Sequence, residues 1–109
     1  MINETTLLPV FRKIDNASRE NLRKHFYKLA VRYANTRAEW NFMTVEEKAE
    51  EDAARSRLHN ALIDSLNILA RQMEKDGEDT SWRSIMGNDR KIIGDFACYV
   101  AAWLGIRQR

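Results

Sequence analysis

The stretch DFACYVAAWL, residues 95–104, decides the fold of this chain, because it is the most apolar part of the sequence and contains a single acid. The nine residues from Phe96 to Leu104 would span about 14 Å as an α-helix, which is half the thickness of a bilayer. We therefore expect a helix buried in protein and no transmembrane helix. Its apolar residues lie on all sides, and such a helix is central in its domain or covered by a partner.

The segments before this helix have apolar residues three and four positions apart, which is the spacing of amphipathic helices. Strand-like alternation is absent, and with four glycines and one proline the residues that interrupt long helices are scarce. We predict an all-α fold of one domain over residues 1–109. It is a small helical bundle of about four main helices plus a short helical turn, with the apolar C-terminal helix central.

Polar residues indicate where the first two helices begin and end. Thr6 is suited to cap a first helix that holds Pro9 in its first turn. The tetrapeptide DNAS, residues 15–18, is rich in residues that favour caps and turns, so it predicts a break or bend before a second helix over residues 18–41. The apolar spacing also allows the two helices to run on through this tetrapeptide.

The clearest helix start in the sequence is TVEE, residues 44–47. Thr44 followed by Glu47 predicts a capping box, and acids fill the first turns, where the helix dipole favours them. Gly77 is a natural end for this third helix. The remaining signals are Thr80 or Ser81 as the cap of a short turn that Gly87 ends, Asn88 as the cap of the last helix, and Gly105 as its end.

Charge is distributed in three blocks, although the net charge is only +2. Basic residues outnumber acidic ones in the first and last blocks, and acidic residues dominate the middle one. Alternation of this kind is typical of antiparallel helices that neutralise one another. The net charges are +4 over residues 1–42, −5 over 43–80 and +3 over 81–109.

The single cysteine, Cys98, cannot form a disulfide within the chain, and this usage fits a reducing compartment. The opening residues MINETTLLPVFRKI contain an acid, Glu4, and only a broken apolar run, so they do not match a signal peptide. We therefore expect a cytoplasmic protein.

Residues that could carry catalysis or bind a metal are scattered. His25 and His59 have no His, Cys or carboxylate at the three- or four-residue spacing that a metal site on a helix needs. Cys98 has no basic neighbour in the sequence that would favour a reactive thiolate. Glycine-rich phosphate loops and nucleophile elbows are absent. We expect no catalytic residue, no cofactor, no metal and no enzymatic activity.

One short motif suggests a different interpretation. RENLRKH, residues 19–25, places five residues between Arg19 and His25, and it resembles the active-site motif of the HEPN ribonucleases. The resemblance implies a dimeric helical RNase in which Arg19 and His25 meet across the symmetry axis to bind and cleave RNA. Glu20 departs from the family's pattern, because it puts negative charge where phosphate would bind.

A second alternative is a DNA-binding regulator. Residues 81–96 fit a helix-turn-helix with Gly87 in the turn, within a segment over 80–104. Base contacts would come from the start of the second helix, and a basic face of the preceding part of the chain could bind phosphate. The possible nucleic-acid contacts are Asn88, Asp89, Arg90 and Lys91 for the first role and Lys24, Lys28 and Arg32 for the second.

The interpretation that we favour is a non-enzymatic small helical protein-interaction module that docks on another protein and also associates with itself. Too little amphipathic surface is available to cover the last helix, so some apolar area should stay open and be buried between two copies. We expect a homodimer with Trp40, Tyr99 or Trp103 in or near the contact, and no membrane partner.

Overall fold

The computed structural model describes residues 4–107, and this part of the chain is built from five α-helices without a strand. It confirms the predicted small all-α bundle of four main helices and one short one. The helices are α1 (Glu4–Asp15), α2 (Glu20–Trp40), α3 (Val45–Lys75), α4 (Ser81–Met86) and α5 (Arg90–Arg107).

Helix α2 lies between α3 and α5 and is antiparallel to both. Tyr33 of α2 meets His59 of α3 with ring centroids 5.8 Å apart, while Arg19, before α2, binds Asp76 at the far end of α3. The molecule measures 47 × 29 × 29 Å, and the 31 residues of α3 account for its long axis at about 1.5 Å per residue.

The apolar C-terminal helix packs chiefly against α2 and makes narrower contacts with α1 and α3. Phe96 is fully buried and stacks on Phe26 of α2 with centroids 5.9 Å apart. The cover over α5 is incomplete, since Ala102 is exposed and Cys98 is half-buried. The fully buried side chains of largest volume are Phe26, Trp82, Phe96, Ile14, Leu62 and Leu66.

Several predicted helix ends are confirmed. The chain breaks between α1 and α2 at residues 16–19, so the two helices are not continuous. The Thr44 hydroxyl accepts from the Glu47 amide at 3.1 Å, and the Glu47 carboxylate accepts from the Thr44 amide at 3.0 Å, which completes the capping box. Gly77 ends α3 with a φ of 78°, a conformation that suits glycine.

The predicted ends at Thr6, Asn88 and Gly105 are wrong. Thr6 lies inside α1, which already includes Glu4, so Thr6 does not cap it. Asn88 does not cap α5. The Asp89 carboxylate takes that role, accepting from the amide of Lys91 at 2.8 Å, because Asp89 directly precedes the helix. Gly105 lies within α5, where an exposed glycine without positive φ is tolerated.

The short helix α4 begins without the predicted cap. The Thr80 side chain makes no capping hydrogen bond, and the Asp79 carboxylate accepts from the Ser81 amide at 2.9 Å instead. Gly87 ends α4 as predicted, with a φ of 64°. Trp82 and Met86 anchor this short helix, because both are buried in the core.

Candidate interaction surface

The outer face of α2 carries a regular line of exposed residues. Their spacing alternates between four and three positions, which keeps them on one side of a helix. The opposite side faces the core through Phe26, Ala30 and Tyr33. We call the exposed line the outer stripe; it consists of Lys24, Lys28, Val31, Asn35, Ala38 and, just past the helix end, Phe42.

A groove of about 480 Å³ lies beside the N-terminal half of this stripe, between α2 and α5. Its apolar lining comes from Tyr27, Val31 and Leu104. Its rim is cationic, and neither Lys28 nor Arg32 forms an ion pair with a described residue. We call it the basic groove; its residues are Lys24, Tyr27, Lys28, Val31, Arg32 and Leu104.

The apolar wall of the basic groove is held in place by Asp15. The Tyr27 hydroxyl donates to the Asp15 carboxylate at 2.6 Å, and Arg107 donates to the same carboxylate at 3.1 Å. The Arg107 guanidinium holds the pKa of Asp15 below its usual value, against the opposing effect of burial. Burial and the Asp15 carboxylate raise the pKa of Tyr27, so its hydroxyl keeps its proton and stays a donor. The end of α5, and with it Leu104, is thereby fixed against α2.

The turn between α2 and α3 forms a projecting hairpin. α5 begins beside His59, whose Nε2 lies 3.0 Å from the Arg90 carbonyl oxygen. α3 starts at Val45, so it extends about 21 Å beyond that level. At the tip, Phe42 is 90% exposed and Val45 is 80% exposed. We call residues 38–54 the hairpin tip; its acids are Glu39, Glu46, Glu47, Glu50, Glu51 and Asp52.

Trp40 joins the two helices of this hairpin. Its ring is half-buried between two cations of α3, with the Lys48 ammonium 5.9 Å and the Arg55 guanidinium 4.5 Å from a ring centroid. Contacts of this kind are attractive because the ring face carries negative potential. They stabilise the hairpin and keep its tip in a defined position.

Tyr99 and Trp103 lie together on α5, at the other end of the bundle from Trp40. Both are half-buried in an aromatic cluster with Phe11 of α1, in which Phe11 and Trp103 stack at 6.3 Å and Tyr99 meets Trp103 edge-on. Of the three residues predicted at a dimer interface, Tyr99 and Trp103 therefore lie together, and Trp40 lies apart from them.

The residues predicted to contact DNA fall into two separate groups. Asn88, Asp89, Arg90 and Lys91 are all exposed at the start of α5. Arg83 of α4 donates to the Asn88 side chain at 2.6 Å and to the Gly87 carbonyl. It thus fixes the turn between α4 and α5 and engages the side-chain oxygen of Asn88. The second group, Lys24, Lys28 and Arg32, lines the basic groove.

The two residues of the ribonuclease-like motif have different surroundings. Arg19 binds Asp76 through two hydrogen bonds of 2.8 and 2.9 Å, and this pairing lowers the pKa of Asp76 to about 2. His25 is exposed on α2. Arg19 therefore connects the start of α2 to the end of α3.

Two further side chains have surroundings that sequence patterns did not reveal. His59 is buried, and its Nδ1 has no hydrogen-bond partner among the described residues. Cys98 lies 3.6 Å from the Arg37 guanidinium, although no basic residue is near it in the sequence. Arg37 in turn binds Asp95 at 2.8 Å. These contacts join helices that are far apart in the chain, so spacing along one helix cannot indicate them.

Over residues 4–107, His, Cys, Asp and Glu side chains form no group of three that could hold a metal ion. The helices of the same range also lack the length and apolar character needed to cross a bilayer. Comparison of the chain with protein-family models, with curated proteins and with solved structures finds no match. The geometry of the surface itself is therefore the basis for a functional hypothesis.

Proposed function

We propose that this chain is a non-enzymatic protein-interaction module that docks on another protein through its hairpin tip, and that it works in the cytoplasm. The predicted homodimer is part of this proposal. The use of one cysteine and no disulfide supports the cytoplasmic location.

The exposure of Phe42 and Val45 carries the proposal. These two large apolar side chains are three residues apart in the turn at the end of the hairpin, for which contacts with α1, α4 and α5 are not among those of the described elements. Water contact with such side chains is unfavourable by about 25 cal/mol per Å² of apolar surface. Trp40 holds the two helices of the hairpin together, so the surface that a partner contacts is already ordered. Binding then costs little conformational entropy of the hairpin.

The proposal is tested by exchanging one exposed apolar side chain at the tip. We expect Phe42→Ser to remove partner proteins that the unaltered chain retains from extracts of its own cells, in nuclease-treated and untreated samples alike. In dilute, monomeric protein the change should leave the melting temperature nearly unchanged, because Phe42 contributes little to the core.

The matched control is Ile85→Ser, which removes an apolar side chain that is 59% exposed on α4, away from the hairpin. Partners that are lost equally from both variants, or from neither, would contradict a role for the tip. Partners that disappear only after nuclease treatment would indicate nucleic acid as the bridge.

A DNA-binding regulator remains the second candidate, because Asn88, Asp89, Arg90 and Lys91 are exposed together at a helix start. The helix N-terminus and two cations favour a phosphate, but the Asp89 carboxylate already binds the first amides of α5. Farther along α5 the surface includes Cys98 and Ala102, whose short side chains cannot form hydrogen bonds with base edges in a DNA groove. These features favour the interaction module.

A further inference from the structure

We infer that the basic groove is the docking site for the hairpin tip of a second copy of this chain, with two copies related by a two-fold axis and their α2 helices antiparallel. This inference rests on the proposed function, because it names one partner for the same tip. It specifies which surface the tip contacts and which residues face each other.

Charge is the first argument. The basic groove beside the N-terminal half of the outer stripe is cationic through Lys24, Lys28 and Arg32, and the hairpin tip at the other end of the stripe is acidic. Antiparallel pairing places the cationic half of each copy over the acidic tip of the other. Parallel pairing would place like charges together, which is unfavourable. Lys24 is already paired with Glu20 at 2.9 Å, so Lys28 and Arg32 supply most of the unpaired charge.

Chemical complementarity is the second argument. The basic groove offers an apolar lining of Tyr27, Val31 and Leu104 within a cationic rim. The ligand that fits it is an apolar side chain flanked by acids. Phe42 has this character, because it is 90% exposed and two exposed acids are near it in the sequence, Glu39 three residues before it and Glu46 four residues after it.

The spacing of the outer stripe is the third argument. If Phe42 of one copy lies over Lys28 of the other, the two-fold axis passes midway between them, at Asn35. The two docking contacts then lie symmetrically, each about 10 Å along α2 from the axis. Asn35 and Ala38 are short side chains, which allows the helices to approach closely at the crossing. The arrangement also closes on itself, since each copy uses its one tip and its one groove.

The first test is charge reversal measured by sedimentation or light scattering from low micromolar to submillimolar protein. We expect a species of twice the 12.8 kDa chain mass that weakens with added salt. Reversal of the groove (Lys24→Glu, Lys28→Glu, Arg32→Glu) should weaken dimerisation by more than about tenfold. Reversal of the tip (Glu39→Lys, Glu46→Lys, Glu50→Lys) should do the same.

Two controls separate this docking from a general effect of net charge. A chain that carries both sets of reversals should regain the dimer, because the complementarity is restored with the signs exchanged. A chain with Arg57→Glu, Arg71→Glu and Lys91→Glu has the same net charge as the groove variant but leaves stripe, groove and tip intact. It should dimerise more strongly than the groove variant.

The second test uses cysteine cross-linking to read the register, in a Cys98→Ala background. Lys28→Cys and Phe42→Cys chains should cross-link when mixed, and neither should do so alone. Asn35→Cys should cross-link with itself, because it lies at the axis. Arg71→Cys, on the exposed side of α3, serves as the control and should remain unlinked.

Specific results would overturn the inference. A monomer over the whole concentration range would do so, as would a dimer that the groove reversal leaves intact. Efficient linking at Arg71→Cys with none at Asn35→Cys would place the contact elsewhere. These failures are distinct from failure of the proposed function, because a monomeric chain whose Phe42→Ser variant loses other protein partners would still be an interaction module.

Discussion

Arg107 of α5 donates hydrogen bonds to both carboxylate oxygens of Asp15, the last residue of α1, across a separation of 92 residues. This contact joins the first and last helices and fixes the wall of the basic groove. It also makes part of the stability of the fold depend on the charge of one carboxylate.

The first prediction concerns pH. The folded pKa of Asp15 lies below its unfolded value, so its contribution to the free energy of unfolding is complete above the unfolded pKa and is lost as pH falls through the folded one. Asp15→Asn should therefore lower the melting temperature at pH 7, by the equivalent of about 1 kcal/mol, and have no effect in strong acid. Asp64→Asn, at an exposed carboxylate, is the control. A deficit in Asp15→Asn that persists unchanged at low pH would contradict the role of the charge.

The second prediction concerns the contact of α2 with α5. A Cβ added to Gly94 would lie 2.5 Å from Nη2 of Arg37 and 2.7 Å from the buried Tyr33 hydroxyl. We expect Gly94→Ala to destabilise the fold by about 1–3 kcal/mol, since Tyr33 is buried and has little room to move. Chemical denaturation measures the loss.

Gly105 in the same helix provides the control, because a Cβ there meets nothing within 4 Å. Gly105→Ala should stabilise the fold by about 0.5–1 kcal/mol through helix propensity alone. Equal stabilisation by both alanines would show that α2 and α5 do not approach as closely as described.

The third prediction concerns the centre of the core. Phe96→Ala should cost about 3–5 kcal/mol, because the ring is fully buried and stacks on Phe26. Phe42→Ala removes the same atoms from a side chain that is 90% exposed, and in dilute, monomeric protein it should change the melting temperature little. Similar effects of the two substitutions would contradict the burial of Phe96 between α5 and α2.

The fourth prediction concerns the start of α3. Thr44→Ala should cost about 1 kcal/mol and speed hydrogen exchange at the Glu47 amide, which donates to the threonine hydroxyl. Thr44→Ser keeps the hydroxyl and should retain most of the protection. A serine variant that exchanges as fast as the alanine variant would show that the hydroxyl does not cap this helix.

The fifth prediction concerns DNA. We expect weak, salt-sensitive retention on duplex DNA that depends on Lys24, Lys28 and Arg32 and shows no sequence preference, because the net charge is only +2. Selection from random duplexes measures preference. A consensus site that is lost in Arg90→Ala with Lys91→Ala would move the DNA-binding hypothesis to first place.

Local sequence signals predicted the structure well where both residues of an interaction lie in one short segment of the chain. The capping box of Thr44 and Glu47 lies within four residues, and Gly77 ends α3 by its own backbone conformation. The same approach chose Asn88 over Asp89 as the cap of α5, because both residue types are good caps. Only the three-dimensional contact with Arg83 shows that the oxygen of Asn88 is already engaged.

The candidate surface was predicted only in part. Lys24, Lys28 and Arg32 were identified as a basic face, but the continuation of this face through Val31, Asn35, Ala38 and Phe42 was not predicted. The exposure of this face of α2 could not be predicted either, because it depends on where α5 begins and on Leu104 reaching α2. The ion pairs of Arg19 and Arg107 likewise join residues too far apart for local patterns to indicate.

The contact of Asp15 with Arg107 also affects how the protein folds during its synthesis. At about 5–20 residues per second, the ribosome needs about 5–20 s to make the 92 residues between them. During that time Phe11 lacks its stacking partner Trp103, and the wall of the basic groove does not exist. A newly made chain therefore has its α2–α3 turn before its basic groove is complete, so in the proposed dimer the pairing of neighbouring copies on one messenger must wait for α5.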